Sequence, residues 1–321
     1  MQHDVMVPLD GSSFAEAALP QAIAMAARMD ATLHLVRVQQ YHTVHAGVML
    51  QVEPEAEDAL EFYLSTTIER IRRIHAGPVK SHVLDGPAVD ALERFVTGHR
   101  MGWVVLSSHG RRGLERMRLG SVADALLQRL RVPMLVVRPP ADEADAQRIT
   151  SITPACREVL LALDGSALAA SMLPTAEALA TTWRVPLTLV TIVMPPVQGL
   201  SARAEYLTRS FLDPVELHLA VDDAHARLAE CAASLLRRGV DVRTLVEVAG
   251  SVAEGLRAIA ARTPGAILAI ATHGESGVRR MLRGSVADKV LHRSPVPVLV
   301  WRPSMAEVDQ GSMREVALSK R

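Results

Sequence analysis

Two short residue clusters, each occurring twice, have the composition of a ligand site, one acidic and one suited to an anion. The first is Asp10-Gly11-Ser12, repeated as Asp164-Gly165-Ser166. A carboxylate in such a position can accept hydrogen bonds from a ribose hydroxyl or an amino group, or it can bond its own turn ahead of a helix. The second is Gly110, nine residues, then Gly120-Ser121, matched by Gly274, nine residues, then Gly284-Ser285. Glycine at the loop end allows close approach of a ligand and a positive φ. The free N–H groups of a following helix would then face that ligand with the positive end of the helix dipole. Serine adds a hydroxyl donor, and Arg111, Arg112, Arg116, Arg118, Arg279, Arg280 and Arg283 place positive charge near the two loops. A purely structural reading competes: Ser121-Val122-Ala123-Asp124 and Ser285-Val286-Ala287-Asp288 have the form of capping boxes.

The elements that must position these clusters are themselves duplicated. Residues 5–29 recur at 159–183, and 107–139 recur at 271–303. Asp10 and Asp164 are 154 residues apart and Gly110 and Gly274 are 164 apart, so ten residues are inserted in the second copy. Pairing Gly86 with Gly250 at the full offset places the insertion between about Gln39 and Asp85 of the first copy. Apolar runs at Val5–Leu9, Leu33–Val38, Val79–Leu84, Trp103–Ser107 and Met134–Arg138 read as strands. Ser13–Met29, Glu55–His75, Pro87–Gly98 and Ser121–Leu130 read as helices between them. The second copy repeats the order with Val159–Leu163, Leu187–Val193, Val240–Val248, Ala266–Ala271 and Val298–Arg302, and a longer helix within Pro214–Arg238. Near-continuous Val/Ile/Leu strands separated by helices predict an α/β fold: two tandem Rossmann-like domains, each a doubly wound, five-stranded parallel sheet. Ligands of such sheets sit at the carboxyl ends of the strands, where the strand order reverses.

Composition narrows the function classes. The chain has 321 residues, enough for two domains, with 35 Lys+Arg against 35 Asp+Glu. That balance argues against nucleic acid or an anionic membrane as the main partner. Ten aromatic residues leave aliphatic cores and no stacking platform for single strands. Cys156 and Cys231 match no metal spacing and read as reduced thiols. Met1–Gly11 carries two aspartates and does not read as a signal peptide, and Val185–Ala202 is broken by Pro186, Pro195 and Pro196, so a cytoplasmic protein is expected. Walker A, G-x-G-x-x-G and G-x-S-x-G sequences are absent. His109 and His273 read as loop-ordering side chains, and His218, Asp222 and His225 share a helix face without a matching set in copy one.

Together, P-x-D-G-S after strand one, small-x-x-G-(nine)-G-S after strand four, and a closing P-V-L-V-x-R-P resemble the universal stress protein family, over residues 3–139 and 157–303. The resemblance implies domains at 1–140 and 155–304 with a polar tail at 305–321. It implies a nucleotide-responsive stress-response factor that binds ATP with Mg²⁺ and is not an enzyme beyond slow, incidental hydrolysis. The site residues it implies are Asp10 and Asp164, Val38 and Ile192 at the end of strand two, and Gly110, Gly120, Ser121, Gly274, Gly284 and Ser285 in the loops. Val122 and Val286, which follow the serines, and Ser107 and Ala271 at the ends of the fourth strands complete the set. The ATP-binding pattern has glycine at those last two positions. Copy two also carries Glu275 for Arg111 and Ala162 for Pro8, so the N-terminal domain is expected to bind ATP more tightly. Edge pairing of the closing strands is expected to form an intrachain pseudo-dimer that can dimerise again. The alternatives are a protein-interaction module that does not bind nucleotide and an ATP-consuming enzyme, which lacks its expected serine-glycine signature.

Overall fold

Alternation of buried aliphatic strands with amphipathic helices sets the architecture of the computed structural model, which describes residues 4–39, 57–109, 119–139, 156–195, 214–272 and 286–303. The first copy forms β1 (Val5–Leu9), α1 (Ser13–Glu16), α2 (Leu19–Met29), β2 (Leu33–Gln39), α3 (Glu57–Arg72), β3 (Val79–Asp85), α4 (Ala88–Gly98), β4 (Trp103–Ser107), α5 (Ser121–Arg129) and β5 (Met134–Val137). The second forms β6 (Glu158–Ala162), α6 (Ala167–Ser171), α7 (Leu173–Trp183), β7 (Leu187–Val193), α8 (Pro214–Arg237), β8 (Val242–Val248), α9 (Val252–Arg262), β9 (Ala266–Ala271), α10 (Val286–Arg293) and β10 (Val298–Trp301).

The chain divides into two compact units, Met1–Ala155 with Val296–Arg302, and Cys156–Pro295 with Pro303–Arg321. The units therefore do not coincide with the repeats, because β10 closes unit 1. There the strand order is β3-β2-β1-β4-β5-β10, parallel through β5. β10 is antiparallel to β5, with Leu299 opposite Leu135. Unit 2 has the order β9-β6-β7-β8, all parallel. The order reverses between β1 and β4 and between β6 and β9. The inner strands are buried along most of their length, as Val5, Met6, Val7, Val104 and Val105 show in unit 1 and Val159 and Leu161 in unit 2. The outer strands β3 and β8 expose much of their length, so the aliphatic pattern does not mean two-sided burial there.

Two expectations change. The helix expected over Ser13–Met29 is two helices, with Ala17 and Ala18 between them and Pro20 in the first turn of α2, where its missing N–H costs no helical bond. The insertion is also divided. Val36 is opposite His82 and Val190 is opposite Leu245, an offset of 163 on the third strand, while α4 and α9 start 164 apart. Gly86 is therefore not the counterpart of Gly250: only Gly86 has a positive φ, of 106°.

Candidate functional site

The Asp-Gly-Ser clusters form the same turn in both units. Asp10 Oδ1 accepts from the backbone N–H of Ser12 at 2.9 Å and from its hydroxyl at 2.6 Å, while Ser12 Oγ caps α1 by accepting from Ala15 N–H at 3.1 Å. Asp164 Oδ1 accepts from Ser166 N–H at 2.9 Å, and Ser166 Oγ caps α6 through Ala169 N–H at 3.1 Å. One carboxylate oxygen in each copy thus shapes the turn, which is the structural role weighed above. Gly11 and Gly165 have φ of 83° and 80°, values that exclude most side chains. The turn leaves each aspartate at the carboxyl end of the first strand, next to the fourth strand and at the reversal of strand order. Asp10 is half-buried and Asp164 exposed.

Turn position is held in unit 1 by a buried charge. Glu16 of α1 accepts from the Tyr63 hydroxyl at 2.9 Å and from Arg70 at 2.6 Å, tying α1 to α3. Burial, and then the Glu16 charge, raise the Tyr63 phenol above its ordinary range, so it stays a donor. Ala170 occupies the matching position in unit 2. There Arg227 of α8, ion-paired with Asp223, lies against the turn: its Nε is 3.4 Å from where a Cβ on Gly165 would stand. Arg227 is a cation at the strand-one turn that no motif announced.

On the other side of the reversal, β4 ends at the buried Ser107. Ser108 N–H donates to Val137 O at 2.8 Å, and Gly120 N–H donates to Ser108 O at 2.8 Å, fixing both ends of the loop. Gly120 has φ −59°, so the expected positive φ is not found. Its glycine requirement is close approach, since an added Cβ would stand 3.3 Å from the Ser108 carbonyl oxygen. Gly120 is itself the N-cap of α5, and among the described residues no side chain caps this helix. Ser121 is the first helical residue and exposed, so the capping-box reading fails here. An uncapped helix start at the carboxyl end of β4 offers N–H donors and a positive dipole end, which fit a phosphate. Val122 follows, half-buried. His109 Nδ1 is 2.9 Å from Ser108 Oγ, in keeping with a loop-ordering role.

Val38 and Ile192 lie one residue from the ends of β2 and β7, both half-buried. Ile192 Cδ1 would stand only 2.8 Å from a Cβ on Gly255. Unit 1 has the smaller Val38 and, at the position matching Gly255, Ala91, so volume is exchanged across the helix–strand contact. Ala271 ends β9, half-buried, and Val286 begins α10, exposed. Gly110, Gly274, Gly284, Ser285, His273, Glu275 and the arginines of both loops lie outside the described residues.

Pro8 carries a signal that residue type alone does not reveal. Val5 N–H donates to the β2 side, through Thr32 O, and Asp4 O accepts from Trp103 on the β4 side. With alternation along the strand, Pro8 faces β4 and has no N–H to give it. The β1–β4 register stops at Met6↔Val104, whereas β6, with Ala162, pairs with β9 through Leu161↔Ala269. The β1–β4 ladder of unit 1 therefore ends one residue earlier than the matching ladder of unit 2.

Other groups do not converge here. His218 and Asp222 form an exposed pair at 3.4 Å, and among the described residues no cluster of three or more His, Cys, Asp or Glu side chains is arranged for a metal. Among the described residues, no helix is long and apolar enough to cross a membrane. Two surface cavities, of about 590 and 270 Å³, lie along α4, and Asp10, Ser107 and Gly120 line neither.

The sequence profile of the universal stress protein family matches residues 1–138 and 156–302. A universal stress protein of Mycobacterium tuberculosis is 27% identical over 317 residues, 94% of this chain and 98% of that protein. One from Methanocaldococcus jannaschii is 28% identical over 145 residues, 43% of this chain and 84% of that protein. Among solved structures, a universal stress protein from Archaeoglobus fulgidus superposes with a TM-score of 0.61 at 15% identity, over 95% of this chain and all of that one.

Proposed function

The chain belongs to the universal stress protein family, and on that basis we propose that it is a tandem nucleotide-binding stress-response factor, with ATP and Mg²⁺ held at the strand-order reversal of one or both domains. The domains are 1–140 and 155–304, followed by a polar tail at 305–321, in a cytoplasmic chain that forms a homodimer. The observation that carries the ligand reading is the uncapped start of α5 at Gly120, beside the Asp10 turn. In this reading Asp10 and the end of β2 at Val38 take the ribose and adenine, while Gly110, Gly120, Ser121 and Val122 take the phosphates, with Ser107 beneath them. Asp164, Ile192, Ala271, Gly274, Gly284, Ser285 and Val286 form the second site. A binding role is favoured over catalysis because the described residues around the reversal supply donors and a turn-bonded carboxylate in each unit, while Ser108, the serine within reach of His109, is buried at 1% exposure.

Pro8 shortens the β1–β4 ladder at the reversal, and this supports the tighter site being there. Ligand that binds only the folded state stabilises it by RT ln(1 + [L]/Kd), roughly 2.7 kcal/mol at one hundred times Kd. Thermal unfolding of ligand-free protein with and without millimolar ATP-Mg²⁺ tests the reading, with a rise in Tm expected. No shift would leave the protein-interaction reading in its place, and sustained ATP turnover at ordinary enzyme rates would favour an enzyme.

A further inference from the structure

Away from the carboxyl ends of the strands, unit 1 contains a cluster of three histidines that the nucleotide reading does not use. His34, the second residue of β2, is buried at 3% exposure. Its Nε2 is 3.3 Å from Asp4 Oδ2, and its Nδ1 is 3.0 Å from His82 Nε2 on β3. The two rings lie 9° from parallel with centroids 5.1 Å apart. Phe95 of α4 packs on His82 at 4.7 Å, and His99, at the end of α4, stacks on Phe95 at 4.1 Å and lies 5.8 Å from His82. The charged and titratable groups acting on the pair are Asp4 ahead of β1, Lys80 on β3 and His99.

Hydrogen-bond logic limits how many protons the pair can hold. With Asp4 ionised, His34 donates from Nε2, so its Nδ1 must accept from His82 Nε2–H. One added proton is tolerated: His34 then donates on both sides and His82 moves its own proton to Nδ1. A second proton puts two N–H groups against each other at a 3.0 Å spacing. Two free histidines in the unfolded chain accept both protons readily.

Unit 2 provides an internal comparison. Its counterparts of His34, His82, Phe95 and His99 are Thr188, Leu245, Ile259 and Thr263, and Glu158, in place of Asp4, accepts from the Thr188 hydroxyl. The same helix–strand contact is built there without an imidazole.

We propose that the Asp4–His34–His82 chain, closed over by Phe95 and His99, is an acid-sensitive latch that joins β2, β3 and α4 in unit 1 and opens when both imidazoles must carry a proton, while unit 2 has no such latch. Burial, followed by the charges of His34, His99 and Lys80, holds His82 down at about 4, and burial also lowers His34 against the opposing pull of Asp4. The folded state therefore binds fewer protons than the unfolded one below about pH 6.5, the ordinary histidine value. Stability is fully present above that pH and falls on acidification towards pH 4, where the folded pair also takes its proton.

Hydrogen exchange on the full chain, corrected for intrinsic rates, tests this between pH 7.5 and 5. Opening of 79–85 and 88–98 should rise by about tenfold per pH unit below 6.5, the slope for one linked proton, while 242–248 and 252–262 stay flat. His75, buried three residues after α3, also resists protonation, so the decisive comparison is His82→Leu, which installs the unit 2 residue. That variant should lose most of the slope. A slope unchanged in His82→Leu, or equal opening of both units in the wild type, overturns the latch. Should the variant not fold, imidazole NMR of the wild type decides: His82 protonating well below 6.5 supports the latch, and an ordinary titration near 6.5 refutes it.

Discussion

At the scale of single residues, the sharpest correction concerns Ser121. As an N-cap it would contribute about 1 kcal/mol to stability, and its loss would confuse any test of ligand binding. The cap position belongs to Gly120, and the Ser121 side chain stands exposed on the first helical turn. Ser121→Ala should therefore leave stability within about 0.5 kcal/mol, as for other exposed positions. It should still weaken ATP, by roughly ten- to a hundredfold for a lost hydrogen bond to a charged phosphate. Isothermal titration alongside denaturant unfolding separates the two effects. A drop in stability with unchanged affinity would return the serine to a structural role. Residue types revealed the aspartate turns and the need for glycine at position 120, because those demands are local. They did not reveal that Gly11 carries the positive φ while Gly120 meets a steric limit at Ser108. That distinction depends on a carbonyl twelve residues away in the chain.

At the scale of elements, the strands and most helices were legible because aliphatic runs and amphipathic spacing report burial directly. What was not legible is where neighbouring strands separate. Pro8 reads as a motif letter in the sequence, yet its consequence depends on which neighbour it faces. Facing β4, it removes a donor from the ladder, and β1–β4 pairing ends one residue before the matching β6–β9 pairing. A shorter ladder leaves the Asp10 turn and the start of the loop after β4 joined by fewer backbone bonds. Pro8→Ala should let the ladder extend, slowing amide exchange at the end of β4. It should also lower ATP affinity in unit 1 towards that of unit 2. Ala162→Pro should act in the opposite sense on unit 2. If exchange at 105–107 slows and affinity in unit 1 does not fall, the shorter ladder has no part in binding. The histidine latch belongs to the same scale, since β2, β3 and α4 each contribute one side of it.

At the scale of the whole molecule, duplication accounts for the length, the neutral charge and the scarcity of aromatic residues, since one aliphatic βα design is used twice. Repeat boundaries and structural boundaries nevertheless differ. The last strand of the second repeat belongs to unit 1, where Val298, Leu299 and Val300 are buried against β5. Sequence placed both closing strands at a sheet edge but could not supply the antiparallel register, which joins residues more than 160 positions apart. Without β10, the strand Met134–Val137 would present unpaired backbone groups along an aliphatic edge, the condition under which strands pair between molecules. A chain ending at Pro295 should therefore self-associate. Its mass in sedimentation should exceed that of the full chain at the same concentration, and 134–137 should become protected again only as concentration rises. Val137→Lys, at a half-buried position of β5, should reverse the association in the shortened chain, because a charge on a bare edge strand opposes pairing. A shortened chain with unchanged mass and a freely exchanging β5 would mean that the fifth strand does not need its partner, and that β10 contributes packing without sealing the edge.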